Sequence, residues 1–192
     1  MNRLPEEIVT PRLLLRVPTA ADATAVNHAV RASFAELSEW MPWAVEPQTM
    51  EESEEFCTES RQKWRDDQEY AVLMILQENG ALIGGCGFPN LDWEVPKFEV
   101  GYWCHSAHVG YGYVSEATYA LTQLAFDEFG AVRVEMRIDD NNERSWRVAQ
   151  RLGFELEAVI HADTRKNNGS LRDTRIYALL NSLGLKAPGE SA

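Results

Sequence analysis

His108-Val109-Gly110-Tyr111-Gly112-Tyr113-Val114-Ser115-Glu116-Ala117 is a double-glycine turn that runs into an apolar helix. Glycines at alternate positions let the backbone turn sharply and come close to a bound group. The first N–H groups of the following helix have no carbonyl within the helix to bond and point at whatever sits there. The stretch therefore reads as a seat for an anionic, phosphorylated ligand. The same Gly-x-Gly before a helix also makes an ordinary tight turn, and the third glycine of a dinucleotide fingerprint is missing.

Working outward, a strand-like run from Phe98 to Cys104 enters the turn and a helix from about Tyr113 to Phe129 leaves it. A strand at Val132 to Ile138, a helix at Glu143 to Leu152 closed by Gly153, and strands at Phe154 to Ala162 and Leu171 to Leu180 follow. Upstream, runs at Tyr70 to Gln77 and Ala81 to Phe88 flank Glu78-Asn79-Gly80, whose Asn-Gly pair is a hairpin signal. Thr49 caps a helix fronted by Glu51, Glu52, Glu54 and Glu55, with Lys63 and Arg65 toward its end, as a helix dipole favours. The stretch Leu37 to Pro47 holds Trp40, Met41, Pro42 and Trp43; it is too broken for a long element but able to line a pocket. At the start, Arg12 to Val17 is a strand ended by Pro18, and Thr19 caps a helix through roughly Ser33. This order predicts an α/β (α+β) sheet with crossing helices on both faces. It predicts one domain over residues 1–185 and a loose tail over 186–192.

With 192 residues, 45% hydrophobic and 25% charged, the chain can bury about 70% of its unfolded surface and should fold without disulfide or metal staples. Lys and Arg number 18 against 30 Asp and Glu, a net charge of −12. That balance argues against nucleic acid as a direct partner and favours a cationic protein, peptide or amine. It leaves room for a small anionic ligand held locally by backbone dipoles. Cys57, Cys86 and Cys104 have no metal-ligand spacing, nor do His28, His105, His108 and His161 supply zinc partners, so no metal is expected. The start, Met1 to Glu7, lacks the apolar run of a signal peptide, and no segment approaches the ~20 apolar residues of a membrane span. The expectation is a reduced, cytoplasmic protein with no membrane contact, and a homodimer as the default assembly.

Four stretches taken together carry a family likeness: Thr10-Pro11-Arg12-Leu13-Leu14-Leu15-Arg16, Glu99-Val100-Gly101-Tyr102-Trp103, Gly110 to Ala117, and Asn142-Glu143-Arg144-Ser145 continued by Leu152-Gly153-Phe154. In this order and spacing, from about Thr10 to Leu180, the chain resembles the GCN5-related N-acetyltransferase (GNAT) superfamily. Within it, the chain is similar to the ribosomal-protein alanine N-acetyltransferase (RimJ/RimL-like) group. The resemblance implies a mixed, mostly antiparallel sheet of about seven strands with a central splayed pair, covered by about four helices. It implies acetyl-CoA as co-substrate, with the pyrophosphate on the amides of His108, Val109, Gly110, Tyr111, Gly112 and Tyr113, and the pantetheine arm against the backbone of Trp103 and Cys104. Val109 and Val114 depart from the residue types usual in the family.

Acetyl transfer to an amine needs a base for the amine and an acid for the departing thiolate. Glu99, flanked by Phe98 and Val100, is the candidate base, since apolar surroundings raise a carboxylate's pKa. Asp163, just before the loop Arg165 to Gly169, is the second candidate, and Asp173 and Tyr177 read as structural. By resemblance Ser145 protonates the thiolate and Asn142 contacts the cofactor or orients the substrate; Asn142 is also a good helix N-cap. Phe34, Trp40 and Trp43 are candidates for one wall of the acceptor site, with core packing as the alternative. The acceptor is expected to be a protein N-terminal α-amine. A small amine, or acetyl-CoA binding without turnover, is the alternative.

Overall fold

The computed structural model describes residues 4–189. Met1 to Arg3 and the last three residues of the tail lie outside the described residues. Eight strands form one sheet: β1 (Glu7–Val9), β2 (Leu13–Arg16), β3 (Tyr70–Leu76), β4 (Leu82–Asp92), β5 (Lys97–Cys104), β6 (Arg133–Asp139), β7 (Glu155–Arg165) and β8 (Leu171–Leu179). Five helices join them: α1 (Ala23–Ala32), α2 (Phe34–Trp40), α3 (Met50–Arg65), α4 (Tyr113–Phe129) and α5 (Glu143–Arg151). The sheet order is β1-β2-β3-β4-β5-β6-β8-β7. Every neighbouring pair is antiparallel except β5 and β6, whose connection is the long crossover through α4 that a parallel pair requires.

Side chains alternate across each strand, and the two faces bury different helices. Val72, Met74, Phe98, Val100, Met136 and Ile138 pack with Leu121 of α4 and Val148 of α5 in the larger core. On the other face Val26 and Val30 of α1, Leu37 of α2 and Cys57 of α3 cluster with Leu73, and Ile75 and Trp103 pack against them. Each such side chain, fully buried, contributes about 1.5–3 kcal/mol.

Several boundaries differ from the sequence expectation. Thr19 opens a short 3-10 turn, with α1 starting only at Ala23, because the Asp22 carboxylate bonds back to the Thr19 amide and grips Arg16. The first four residues of the stretch Leu37 to Pro47 belong to a seven-residue helix, α2, which ends at Trp40 with Met41 as its C-cap just before Pro42. The β3–β4 hairpin forms around Asn79-Gly80, but β4 runs on to Asp92 through a register shift between Gly87 and Asn90. Lys186, expected in a loose tail, donates its amide to the Leu152 carbonyl at 3.0 Å.

The pairing that matters most for function is the shortest one. Between β5 and β6 the register joins Lys97 with Arg133, Phe98 with Val134 and Glu99 with Glu135, and stops there. On its other side β5 stays paired with β4 as far as Cys104. From Val100 to Cys104, β5 therefore has one edge in the ladder and one edge facing a gap.

Candidate active site

On β5 the face opposite Phe98 and Val100 carries Glu99, Gly101 and Trp103; on β6 the same face carries Arg137 and Asp139, and on β8 it carries Arg172. A cleft of about 1130 Å³ lies over this face. Its opposite wall is Trp40 to Trp43 together with Glu52, Glu55, Phe56 and Glu59 of α3. Of the residues read from sequence, Trp40, Trp43, Glu99, Trp103, Asn142, Ser145 and Asp163 all line this one cleft. Trp43 and Trp103 meet edge to face across it at 6.4 Å, so Trp103 is a wall of the cleft as well as a core contact. Phe34, expected with the tryptophans, opens α2 half-buried and does not line the cleft.

Glu99 is half-buried, and burial pushes its carboxyl above the ordinary carboxylate range. The Asn90 amide, which donates to Glu99 Oε2 at 2.8 Å, pulls it back, as do the nearby Arg137 and Arg172, while Glu135 adds to the rise. Asp163 stands differently, because Arg137 Nη2 donates to it at 2.9 Å and both side chains are largely covered. To act as a base it would have to give up that ion pair.

Where β5 and β6 part, α5 begins. Asn142 caps it, its side-chain oxygen accepting from the Ser145 amide at 3.1 Å. Ser145 Oγ lies 2.8 Å from the Tyr102 hydroxyl, which also donates to the Ser145 carbonyl at 3.1 Å. Burial pushes the Tyr102 phenol well up, so it stays protonated. Sequence reasoning passed over Tyr102 although it sits inside a stretch quoted above. Strand alternation assigns it to the core face, and only the parting of the strands gives its hydroxyl a partner 43 residues away.

The glycine turn lies past the end of β5, outside the lining of the cleft. Gly110 and Gly112 have φ of +91° and +81°, the left-handed region that only glycine enters cheaply. A Cβ on Gly110 would meet no atom within 4 Å, which leaves the hollow of the turn open. The first helical bond of α4 runs from the Glu116 amide to the Gly112 carbonyl, so the amides just ahead of it have no helix carbonyl to reach. Arg12 braces the turn from below: its Nη1 donates to the Tyr111 carbonyl at 2.9 Å and its guanidinium lies 4.5 Å from the Tyr113 ring centroid.

Cys104 is a poor nucleophile. Burial pushes its thiol up to about 11, and its sulfur donates to the adjacent His105 carbonyl. Among the described residues no three His, Cys, Asp or Glu side chains are grouped to hold a metal ion, and no helix is long and apolar enough to cross a membrane.

Comparison with known proteins adds to this geometry. Residues 12–155 match the family model described as an acetyltransferase (GNAT) domain. The chain is 28% identical over 176 residues to a protein of Bacillus subtilis (strain 168) named putative ribosomal N-acetyltransferase YdaF, covering 90% of this chain and 93% of that one. It is 32% identical over 107 residues to p20 of Bacillus licheniformis, named as an uncharacterized N-acetyltransferase, covering 56% of this chain and 60% of that protein. Among solved structures it is similar to RimL, described as a ribosomal L7/L12 alpha-N-protein acetyltransferase in complex with coenzyme A, at a TM-score of 0.83 and 22% identity over 91% of this chain and 97% of that one.

Proposed function

The chain belongs to the GNAT family of acetyl-CoA-dependent N-acetyltransferases, and from that premise we propose that it acetylates a protein N-terminal α-amine by direct attack in a ternary complex. The observation that carries this reading is the pair of proton-handling groups beside the parted stretch of β5. Glu99 lies on the cleft face, and the Tyr102–Ser145 hydroxyl pair lies where α5 begins. Residues 1–185 act as one catalytic domain.

Acetyl-CoA, when bound, supplies an activated acyl thioester. The residues that would hold it are the glycine turn at its pyrophosphate and the free edge of Val100 to Cys104 along its arm, consistent with the open hollow at Gly110. Glu99 accepts a proton from the ammonium form of the acceptor, leaving a neutral nitrogen with its lone pair free. Trp40 and Trp43 enclose the acceptor and exclude water. As the C–N bond forms and the C–S bond breaks, Ser145 Oγ–H, in contact with the Tyr102 hydroxyl, gives its proton to the sulfur and regains one from the nitrogen, which sheds a proton as it becomes an amide.

A small polyamine-like acceptor is the second reading, favoured by Glu46, Glu55 and Glu59 on the cleft wall, none of which has an ion-pair partner among the described residues. One screen separates the two: free-thiol release from acetyl-CoA with ribosomal-protein N-terminal peptides and with small amines. Turnover confined to peptides supports the proposal, turnover confined to small amines supports the second reading, and no thiol release with any amine removes both.

A further inference from the structure

The Tyr102 hydroxyl has one hydrogen and two acceptors within reach. Its oxygen lies 3.1 Å from the Ser145 carbonyl and 2.8 Å from Ser145 Oγ, both in the first turn of α5. The ring that carries it is fixed by packing against the larger core, with the buried Cys86 opposite it on β4. Burial keeps the phenol protonated, so it retains its hydrogen throughout. Ser145, by contrast, lines the cleft.

Two arrangements follow from one hydrogen. When the phenol donates to the carbonyl, its oxygen is left to accept from Ser145, and the serine hydrogen is occupied there. When the phenol donates to Oγ, the serine hydrogen is released toward the cleft. The carbonyl loses little by the exchange, since helix pairing gives it the Ala149 amide as well. With no phenol, Ser145 would turn its hydrogen back to the carbonyl of Asn141 or Asn142, the ordinary habit of a serine in a helix. The second arrangement also matches the charge that develops. As the C–S bond breaks, the sulfur takes the serine proton and the electron pair of the O–H bond stays on Oγ. A donor already aimed at Oγ stabilises that charge only while the proton is in transit, which makes the contact a transition-state one.

We propose that Tyr102 is the positioning residue of the serine acid: it holds Ser145 Oγ toward the cleft and moves its own hydrogen bond from the Ser145 carbonyl to Oγ as the serine proton leaves. This rests on the acetyltransferase reading above and deepens it. Tyr102 does not give up its proton; it acts through Ser145 alone.

The test is a cycle of four full-length proteins, the wild type, Tyr102→Phe, Ser145→Ala and the double variant, with acetyl-CoA and whichever acceptor turns over fastest in the screen above. Tyr102→Phe keeps the ring and removes only the hydroxyl. It should lower the single-turnover rate about 10- to 100-fold, the loss of one hydrogen bond to a charged group. It should leave the calorimetric Kd for acetyl-CoA and the KM for the acceptor within about twofold, as expected when only the transition state loses a contact. Ser145→Ala should be at least as slow. In the Ser145→Ala background, Tyr102→Phe should change the rate by less than about twofold, because the group it acts on is gone. A purely structural phenol, or one that protonates the sulfur itself, gives the same loss in both backgrounds. That equal loss overturns the assignment, and so does a wild-type rate in either single variant. A Kd for acetyl-CoA weakened about tenfold or more in Tyr102→Phe also overturns it, since the residue then shapes the site rather than the acid. Any of these results with an active wild type removes this inference alone, whereas no thiol release with any acceptor removes the acetyltransferase reading as well.

Discussion

Glu99 is kept at a cost. Burial holds its carboxyl above the ordinary carboxylate range, so the folded protein favours the protonated form more than the unfolded chain does. Its contribution to stability is therefore full below the unfolded value, about 4.3, and is lost as pH rises through the raised folded value. At neutral pH the ionised side chain is a burden that a neutral isostere lacks. Glu99→Gln should accordingly lower kcat by about 10²–10⁴-fold, the range of general base catalysis, while its melting temperature at pH 7 equals or exceeds that of the wild type. Parallel rate and calorimetric measurements check this, and a variant with wild-type turnover transfers the base to Asp163. How far such a residue can be read from sequence depends on distance along the chain. Glu99 was legible because its apolar neighbours Phe98 and Val100 are adjacent to it. The Tyr102–Ser145 contact and the Arg137–Asp163 ion pair were not, since they join residues 43 and 26 positions apart that no local pattern connects.

Among the elements, the turn and the N-terminal strand that braces it are one unit. Glu116, in the first turn of α4, accepts from the Thr10 hydroxyl at 2.6 Å, the Arg12 amide at 2.8 Å and Arg12 Nε at 2.6 Å. Two of the stretches that carried the family likeness, Thr10 to Arg16 and Gly110 to Ala117, thus meet at one carboxylate. That gives the likeness a physical cause, although each stretch looked unremarkable alone. Burial would push the Glu116 carboxyl up, but these donors outweigh it and hold the group below the ordinary range. The stability it adds is present above the unfolded carboxylate value and is lost as pH falls through the lowered folded one. Glu116→Ala should destabilise by about 2 kcal/mol, less than a fully buried pair because the Arg12 side chain is 45% exposed. Denaturant titration at several pH values should show the deficit at pH 7 and its shrinkage in acid. A deficit constant across pH would mean that packing, not charge, ties the two elements.

Across the whole molecule, the sheet was legible where a strand is a sustained apolar run beside a turn signal, as in β3, and not where an element exists only through its neighbours. β1 is three residues, Glu7 to Val9, with no periodicity to read; it forms because β2 offers an edge and Ile8 a side chain that packs on the core. α2 likewise runs into the aromatic stretch, where the Asn167 side chain donates to the carbonyl of Ser38 within the helix and to those of Met41 and Ala44 beyond it. The splay of β5 from β6 was an expectation of the family likeness alone, since no residue between Val100 and Cys104 marks it in the sequence. It divides the sheet into β1–β5 and β6–β8, joined within the sheet by only three register pairs. A ligand that completes the free edge of β5 should therefore couple the halves as well as bind. Acetyl-CoA at about 100 times its Kd should add roughly 2.7 kcal/mol to stability by mass action. In hydrogen exchange the added protection should concentrate in Val100 to Cys104 and the start of α4, with the outer strand β7 unchanged, because those amides alone gain partners. Protection spread evenly over the sheet would show that the ligand stabilises by mass action without filling the gap, and protection absent from Val100 to Cys104 would place the pantetheine arm elsewhere.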